Sequence, residues 1–161
     1  MKTISKFVLL FAVIIAGLSF IGCSDEEDLP MASDGNILIM AKVRSNVYNC
    51  IGGILLEVVS PKSIGDNGVY KVYPSESVQV TNAIEIPDFY RYAEHNVKIE
   101  GLEKLKGDIN GLPIKSHLLL ECRKCEGSDV SLFETSQPCL DDNIPLFIPR
   151  YVVTKIIDYY K

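Results

Sequence analysis

The sequence contains one cysteine pair whose spacing is compatible with metal, redox or disulfide chemistry. Cys122 and Cys125 form a C-x-x-C, and a zinc site could be completed from Cys50, Cys139 and His117. On a continuous strand, residues three apart point to opposite faces, so this pair need not share a metal ion. A thioredoxin-like redox pair would require a helix N-terminus or a βαβ pattern, and neither surrounds it. The compartment of the protein therefore decides between zinc and disulfides.

The sequence predicts no catalytic residue and no metal site. It contains no G-x-S-x-G elbow, no H-E-x-x-H and no phosphate-binding P-loop. The two histidines, His95 in a predicted turn and His117 at the start of a predicted strand, are expected to be solvated. Asp141 and Asp142 lie in a predicted loop with too few neighbouring oxygen ligands for Ca²⁺. A hydrolase remains an alternative, which requires one histidine to meet a carboxylate and a nucleophile in a cleft.

Aromatic residues are numerous, with eight tyrosines, six phenylalanines and no tryptophan. Aromatic side chains on an open β-surface can stack on oligosaccharides or on single-stranded polymers. Such a ligand site would be a concave patch built around Tyr90 and Tyr151. We favour the alternative in which most aromatic side chains belong to the core, because the lack of tryptophan weakens the case for sugar binding.

The first 22 residues have the features of a cleaved secretory signal. Lys2 and Lys6 precede an uncharged apolar run over 7–21, and its 15 residues are too few to cross a ~30 Å hydrocarbon core as a helix. The run ends in FIGC, whose cysteine is Cys23, and this motif resembles the lipobox of bacterial lipoproteins. The resemblance implies a diacylglycerol thioether on Cys23, cleavage before it and acylation of its new amine. An ordinary signal peptide with an incidental cysteine is the alternative.

An acidic run follows this cysteine directly and consists of Ser24, Asp25, Glu26, Glu27 and Asp28. It resembles the surface-export signal of lipoproteins in the Bacteroidota, which implies that the protein faces the outside of the outer membrane. The alternative is a solvated spacer, because short runs of like charge are usually disordered. Residues 23–35 are expected to form the lipidated tether. Three acyl chains exceed the two signals that stable anchoring requires, and no cofactor other than this covalent lipid is expected.

Residues 36–161 are expected to form a single domain, which is long enough to build its own core. The formal net charge of the whole chain is −5, and removal of Lys2 and Lys6 with the signal makes it more negative. No basic face is available to follow a phosphate backbone, so nucleic acid is not an expected partner.

The cysteines of an exported domain are expected to be oxidised. Besides Cys23 the chain has four cysteines, an even number that predicts two disulfides with three possible pairings. The preferred pairing joins Cys50 to Cys122, linking an early strand to a late one, and Cys125 to Cys139, closing a long loop. Closing a loop of about 15 residues would stabilise the fold by about 3 kcal/mol through the unfolded chain.

Short apolar or alternating segments separated by glycine and proline predict an all-β, mainly antiparallel fold. The predicted strands cover residues 36–44, 54–60, 69–73, 78–86, 96–101 and 117–124. Pro87 is suited to the first turn of a short helix, residues 125–149 are expected to be irregular, and residues 151–160 favour a strand over a helix because of their β-branched content.

The order of these segments carries a second resemblance. A strand, a cysteine, a Gly-Gly strand and then IPDFYRYAEHNVKIEG over 86–101 are similar to small OB-like barrel lipoproteins of the Bacteroidota. The expected fold is therefore a small OB-like barrel or a β-sandwich with one or two short helical turns. The expected function is that of a surface-exposed lipoprotein, held at the membrane by its lipid, that serves a cell-envelope complex as a binding or accessory module. An outer-membrane protein is the expected partner, and an oligosaccharide-binding or small-ligand-binding module is the alternative.

Overall fold

The computed structural model describes residue 32 and residues 35–46, 53–62, 64–72, 76–133 and 148–161. They contain six strands: β1 Ile37–Ser45, β2 Gly53–Ser60, β3 Asp66–Val72, β4 Glu76–Pro87, β5 His117–Lys124 and β6 Tyr151–Tyr160. All ladders between them are antiparallel, and the order across the sheet is β3-β4-β2-β1-β5-β6. The prediction of an all-β, mainly antiparallel fold is confirmed.

The main core lies on the face of the sheet to which alternate residues of the central strands point. Strand β1 contributes Ile39, Ala41 and Val43, and β5 contributes Leu118 and Leu120. Ala41 is directly opposite Leu118, and Ile39 is opposite Leu120. This alternation is what one buried face of a strand requires, because successive side chains point to opposite sides.

The first half of strand β2 is buried on both faces, which explains the consecutive apolar residues Ile54, Leu55 and Leu56. Ile54 and Leu56 point into the main core, whereas Leu55 belongs to a second, smaller core. That second core also contains Tyr70, Val80 and Ala83, and Ile148 packs against it. The extra strand β3 and the chain just before β6 therefore cover the outer side of β2 and β4.

The sheet curls until β4 and β6 meet, but no continuous ladder joins them. Among the described residues, a parallel bridge joins Glu85 of β4 to Arg150, just before β6, and there the Glu85 amide donates to the Pro149 carbonyl at 3.0 Å. We call this junction the seam. Five strands, β4-β2-β1-β5-β6, thus form a curled sheet, a barrel that is not closed, and β3 is an additional edge strand.

Farther along the seam, a helix and an extended residue take the place of the missing ladder. Helix α1, Phe89–Glu94, buries Phe89 and Tyr92, and the Tyr92 hydroxyl accepts the Val153 amide of β6 at 2.8 Å. Glu100 then exchanges two backbone hydrogen bonds with β6, to Thr154 and from Ile156. Because backbone donors buried without a partner are costly, these contacts complete the edge of β6.

Several local predictions are confirmed and one is wrong. The short helix after Pro87 and the final strand are both present. The strand predicted over 96–101 is not, because only Glu100 pairs with β6 and Gly101 turns the chain in the left-handed conformation with φ of 77°. Three 3₁₀ helices occupy Leu102–Leu105, Asp108–Asn110 and Gly127–Leu132, so the first part of the segment predicted to be irregular is helical.

None of the helices in the described part of the chain is long and apolar enough to cross a membrane.

Candidate functional site

Most of the predicted modification residues lie outside the described residues. These are Cys23, Ser24, Asp25, Glu26, Glu27 and Asp28 of the expected tether, and Cys50 and Cys139 of the expected disulfides. Cys122 and Cys125 are described, and both carry free thiols. Because each preferred disulfide includes Cys50 or Cys139, both pairings stay predictions.

The structure separates the two cysteines of the C-x-x-C. Cys122 points into the main core and has no exposed surface, and this burial raises the pKa of its thiol far above the usual range. Cys125 lies just beyond β5, half-buried, and its amide donates to the Arg150 carbonyl at 3.0 Å. Within the described residues no three histidine, cysteine, aspartate or glutamate side chains are close enough to hold a metal ion.

The residues considered for ligand binding and hydrolysis lie on different elements and differ in exposure. Tyr90 is 40% exposed on α1, whereas Tyr151 is 3% exposed and belongs to the main core. They therefore do not form one exposed aromatic patch. His95 caps the C-terminal end of α1 and is exposed, and His117 is exposed at the start of β5.

Charged side chains, a thiol and an aromatic ring instead lie close together at the seam. We call Glu85, Asp88, Cys125, Phe133 and Arg150 the seam cluster. Arg150 Nε lies 2.9 Å from Glu85 Oε2, and its guanidinium carbon lies 4.9 Å from the centre of the Phe133 ring. Arg150 therefore ties β4 to the end of the Gly127–Leu132 helix, in addition to its backbone bond from Cys125.

Glu85 is the most deeply buried acidic group of the cluster, with 1% of its side chain exposed. Its Oε1 atom is buried and has no hydrogen-bond partner. A Cβ at Gly53 would lie 2.4 Å from that oxygen, so only glycine leaves room for the carboxylate. Burial raises the pKa of Glu85, Arg150 opposes the rise, and the charge of Asp88 adds to it.

Asp88 precedes α1 but makes no capping hydrogen bond with its side chain. Partial burial raises the pKa of this carboxyl to about 6, although the nearby Arg91 opposes the rise. Most aspartates at this position stabilise a helix by accepting a backbone amide, so the Asp88 carboxylate is in an unusually poor environment for its charge.

The segment that follows Cys125 is fixed by a bidentate ion pair. Arg123 donates to both Asp129 oxygens at 2.6 and 2.7 Å, and Asp129 also accepts the Glu126 amide at 2.8 Å. These bonds lower the pKa of Asp129, with the Arg123 hydrogen bond as the largest cause. They hold the 3₁₀ helix Gly127–Leu132, and with it Phe133, against Arg150.

The chemistry available to the seam cluster is the binding and release of protons. The Cys125 thiol has a raised pKa, chiefly because of burial, so little of the reactive thiolate is present at neutral pH. Glu85 is closed off from any substrate by its burial. Sequence reasoning missed Glu85, because a glutamate between Ile84 and Ile86 has the pattern of a solvent-facing residue.

The fold and the seam cluster define the chain as a small, mainly antiparallel β protein with a partly open barrel. No protein-family model matches this sequence, and no curated protein matches it either.

Proposed function

We propose that this chain is an outer-membrane lipoprotein, exposed on the cell surface, whose β domain is a binding or accessory module of a cell-envelope complex. The observation that carries the proposal is the sequence FIGC at residues 20–23 followed by the acidic run 24–28. Lipid on Cys23 would hold the protein at the membrane, and the acidic run would direct it outward.

The number of residues between Cys23 and the first strand is compatible with this arrangement. Its first strand begins at Ile37, so residues 23–35 are available as the tether between the lipid and the sheet. A chain of about 13 residues can span up to ~40 Å when extended, which would leave the domain free to meet a partner beyond the lipid headgroups.

The seam cluster does not supply the groups that a catalytic site would need. Its carboxylate Glu85 is buried and bound by Arg150, and its thiol has a raised pKa. Neither group has the access or the ionisation that a nucleophile or general base needs.

Intact mass spectrometry of the protein from its native membranes tests the anchor. We expect the mass of a chain that begins at Cys23 and carries three acyl chains, and a Cys23→Ser variant that carries none. Reduction and alkylation of the same sample count the oxidised cysteines. An unmodified Cys23 in the native protein would contradict the anchor and the membrane location.

Protease treatment of intact cells tests the surface location. The native protein should be cleaved, whereas a variant with alanine at positions 25, 26, 27 and 28 should keep its lipid but be protected. Cross-linking on intact cells should then recover a larger outer-membrane protein with the native chain. Protection of the native protein would place it on the inner side and refute export, and recovery of no partner would refute the accessory role.

A further inference from the structure

The seam is held at Glu85 by two contacts of different kinds. One is the backbone bond from the Glu85 amide to the Pro149 carbonyl, and the other is the ion pair between Glu85 Oε2 and Arg150 Nε. No strand ladder supports them in the described part of the chain, because the bridge from Glu85 to Arg150 is isolated. The strength of the ion pair therefore has a direct effect on how firmly β4 is joined to residues 149–150.

The geometry of the Glu85 carboxylate leaves one oxygen ready to take a proton. Oε2 is bound by Arg150, whereas Oε1 is buried without a donor. A proton on Oε1 displaces no existing hydrogen bond and removes a poorly solvated charge. It would also replace the ion pair with Arg150 by a hydrogen bond from the guanidinium cation to an uncharged acid, which lacks the attraction between opposite charges.

The groups that face Glu85 favour this protonation and limit the alternatives. From β2 it meets the uncharged backbone of Gly53, and from the start of α1 it meets the negative Asp88. Cys125 interacts with it from the end of β5, and Arg91 faces Asp88 from α1. Arg150 is thus the cation that stabilises the ionised form of Glu85. A third of the Arg150 side chain is already exposed to water.

We propose that the ion pair between Glu85 and Arg150 holds the seam together and that protonation of Glu85 weakens it. Ionised Glu85 holds Arg150, and as the pH falls protonation of Glu85 loosens this hold, so that Arg150 turns to solvent and the bridge at Glu85 weakens. Uptake of this one proton does not itself destabilise the folded domain, because burial raises the pKa of Glu85 and the folded state takes up the proton more readily than the unfolded chain does.

Hydrogen exchange of single amides in the full chain, measured by NMR at pH 7.5 and pH 5.5, tests the proposal. After correction for the intrinsic exchange rate, protection of the Glu85 amide should fall roughly fivefold at the lower pH, as expected when the ion pair that supports this bridge loses about as much free energy as one hydrogen bond contributes. The Val153 amide, which is bound by the Tyr92 hydroxyl elsewhere on the seam, should keep its protection.

Two matched variants complete the design. Glu85→Gln resembles the protonated side chain and should show low Glu85 protection at both pH values, whereas Glu103→Gln, at an exposed position on another helix, should behave as the native chain does. Equal Glu85 protection at both pH values in the native chain would overturn the proposal. So would a pH response that survives in Glu85→Gln, or an equal fall at Val153, which would report general unfolding.

Discussion

Asn82, a single residue with an unusual backbone conformation, holds one of the connections between strands of this domain. Asn82 has a φ of 51° in the middle of β4, which is uncommon for a residue other than glycine. Its side-chain amide donates to the carbonyls of Val58 and Pro61, both at 3.0 Å, and its Oδ1 accepts the Gly65 amide at 2.6 Å. One side chain thus fixes the connection from β2 to β3.

We predict that Asn82→Ala lowers the free energy of unfolding by about 2 to 3 kcal/mol. The variant leaves carbonyl and amide groups of the connection without partners, and alanine tolerates the left-handed conformation poorly. Urea unfolding of the purified protein, followed by circular dichroism, measures the change.

Asn82→Gly is the matched variant, because glycine accepts the conformation but also lacks the amide. We expect it to be destabilised less than Asn82→Ala, by about 1 kcal/mol, which is the backbone part of the cost. Equal stability of Asn82→Ala and the native protein would show that these three hydrogen bonds contribute nothing.

Helix α1 matters at the scale of elements because it takes the place of a strand. It has only six residues, too few for an isolated helix to be stable, so its stability comes from packing. Phe89 and Tyr92 supply that packing, with ring centres 6.1 Å apart, and the Tyr92 hydroxyl binds the edge of β6. The helix and the barrel therefore stabilise each other.

We predict that Tyr92→Phe lowers the free energy of unfolding by about 1 to 3 kcal/mol, because it leaves the buried Val153 amide without an acceptor while the ring stays in place. Tyr90→Phe on the same helix is the control, since Tyr90 is 40% exposed and surface changes usually stay within about 0.5 kcal/mol. Urea unfolding of both variants measures the difference. Equal losses in the two variants would contradict the role of the Tyr92 hydroxyl.

The elements that sequence reasoning predicted correctly are those with a local signal. Strand β5 alternates between buried and partly exposed residues, Pro87 stands just before α1, and β6 is rich in β-branched residues. The seam has no such signal, because Glu85 and Arg150 are 65 residues apart and the strands β2, β1 and β5 lie between β4 and β6 in the sheet. The prediction of a strand over 96–101 was wrong for a related reason. Alternation of apolar and polar residues does not show whether a neighbouring strand is present for the segment to pair with.

The candidate site was less predictable than the fold. A glutamate flanked by two isoleucines indicates an exposed face. Glu85 is buried instead because residues 148–150 pack beside β4. Gly53, at the start of β2, is the one local hint, because a glycine within a strand can mark the close approach of another group, here the Glu85 side chain. The cysteines, in contrast, were visible at once in the sequence, but their oxidation state depends on the compartment.

At the scale of the whole molecule, β1 is the strand on which the sheet depends. It lies in the middle of the order and pairs with β2 on one side and β5 on the other. Residues 31–161 form one compact unit, and the buried hydrophobic residues described in it begin at Leu38. The core described for this unit is therefore built entirely from residues that follow the expected tether.

This arrangement predicts that a chain starting at Met31 folds like the full chain, with the same circular dichroism and a free energy of unfolding within about 0.5 kcal/mol, as for changes away from the core. A chain starting at Asn46 lacks β1, so it should show no cooperative unfolding, because β2 and β5 would each lose a hydrogen-bonded neighbour and the core would lose Ile39, Ala41 and Val43. Urea titration of the two truncated chains beside the full one makes the comparison. A loss of more than about 2 kcal/mol in the chain starting at Met31 would show that residues before it contribute to the stability of the domain.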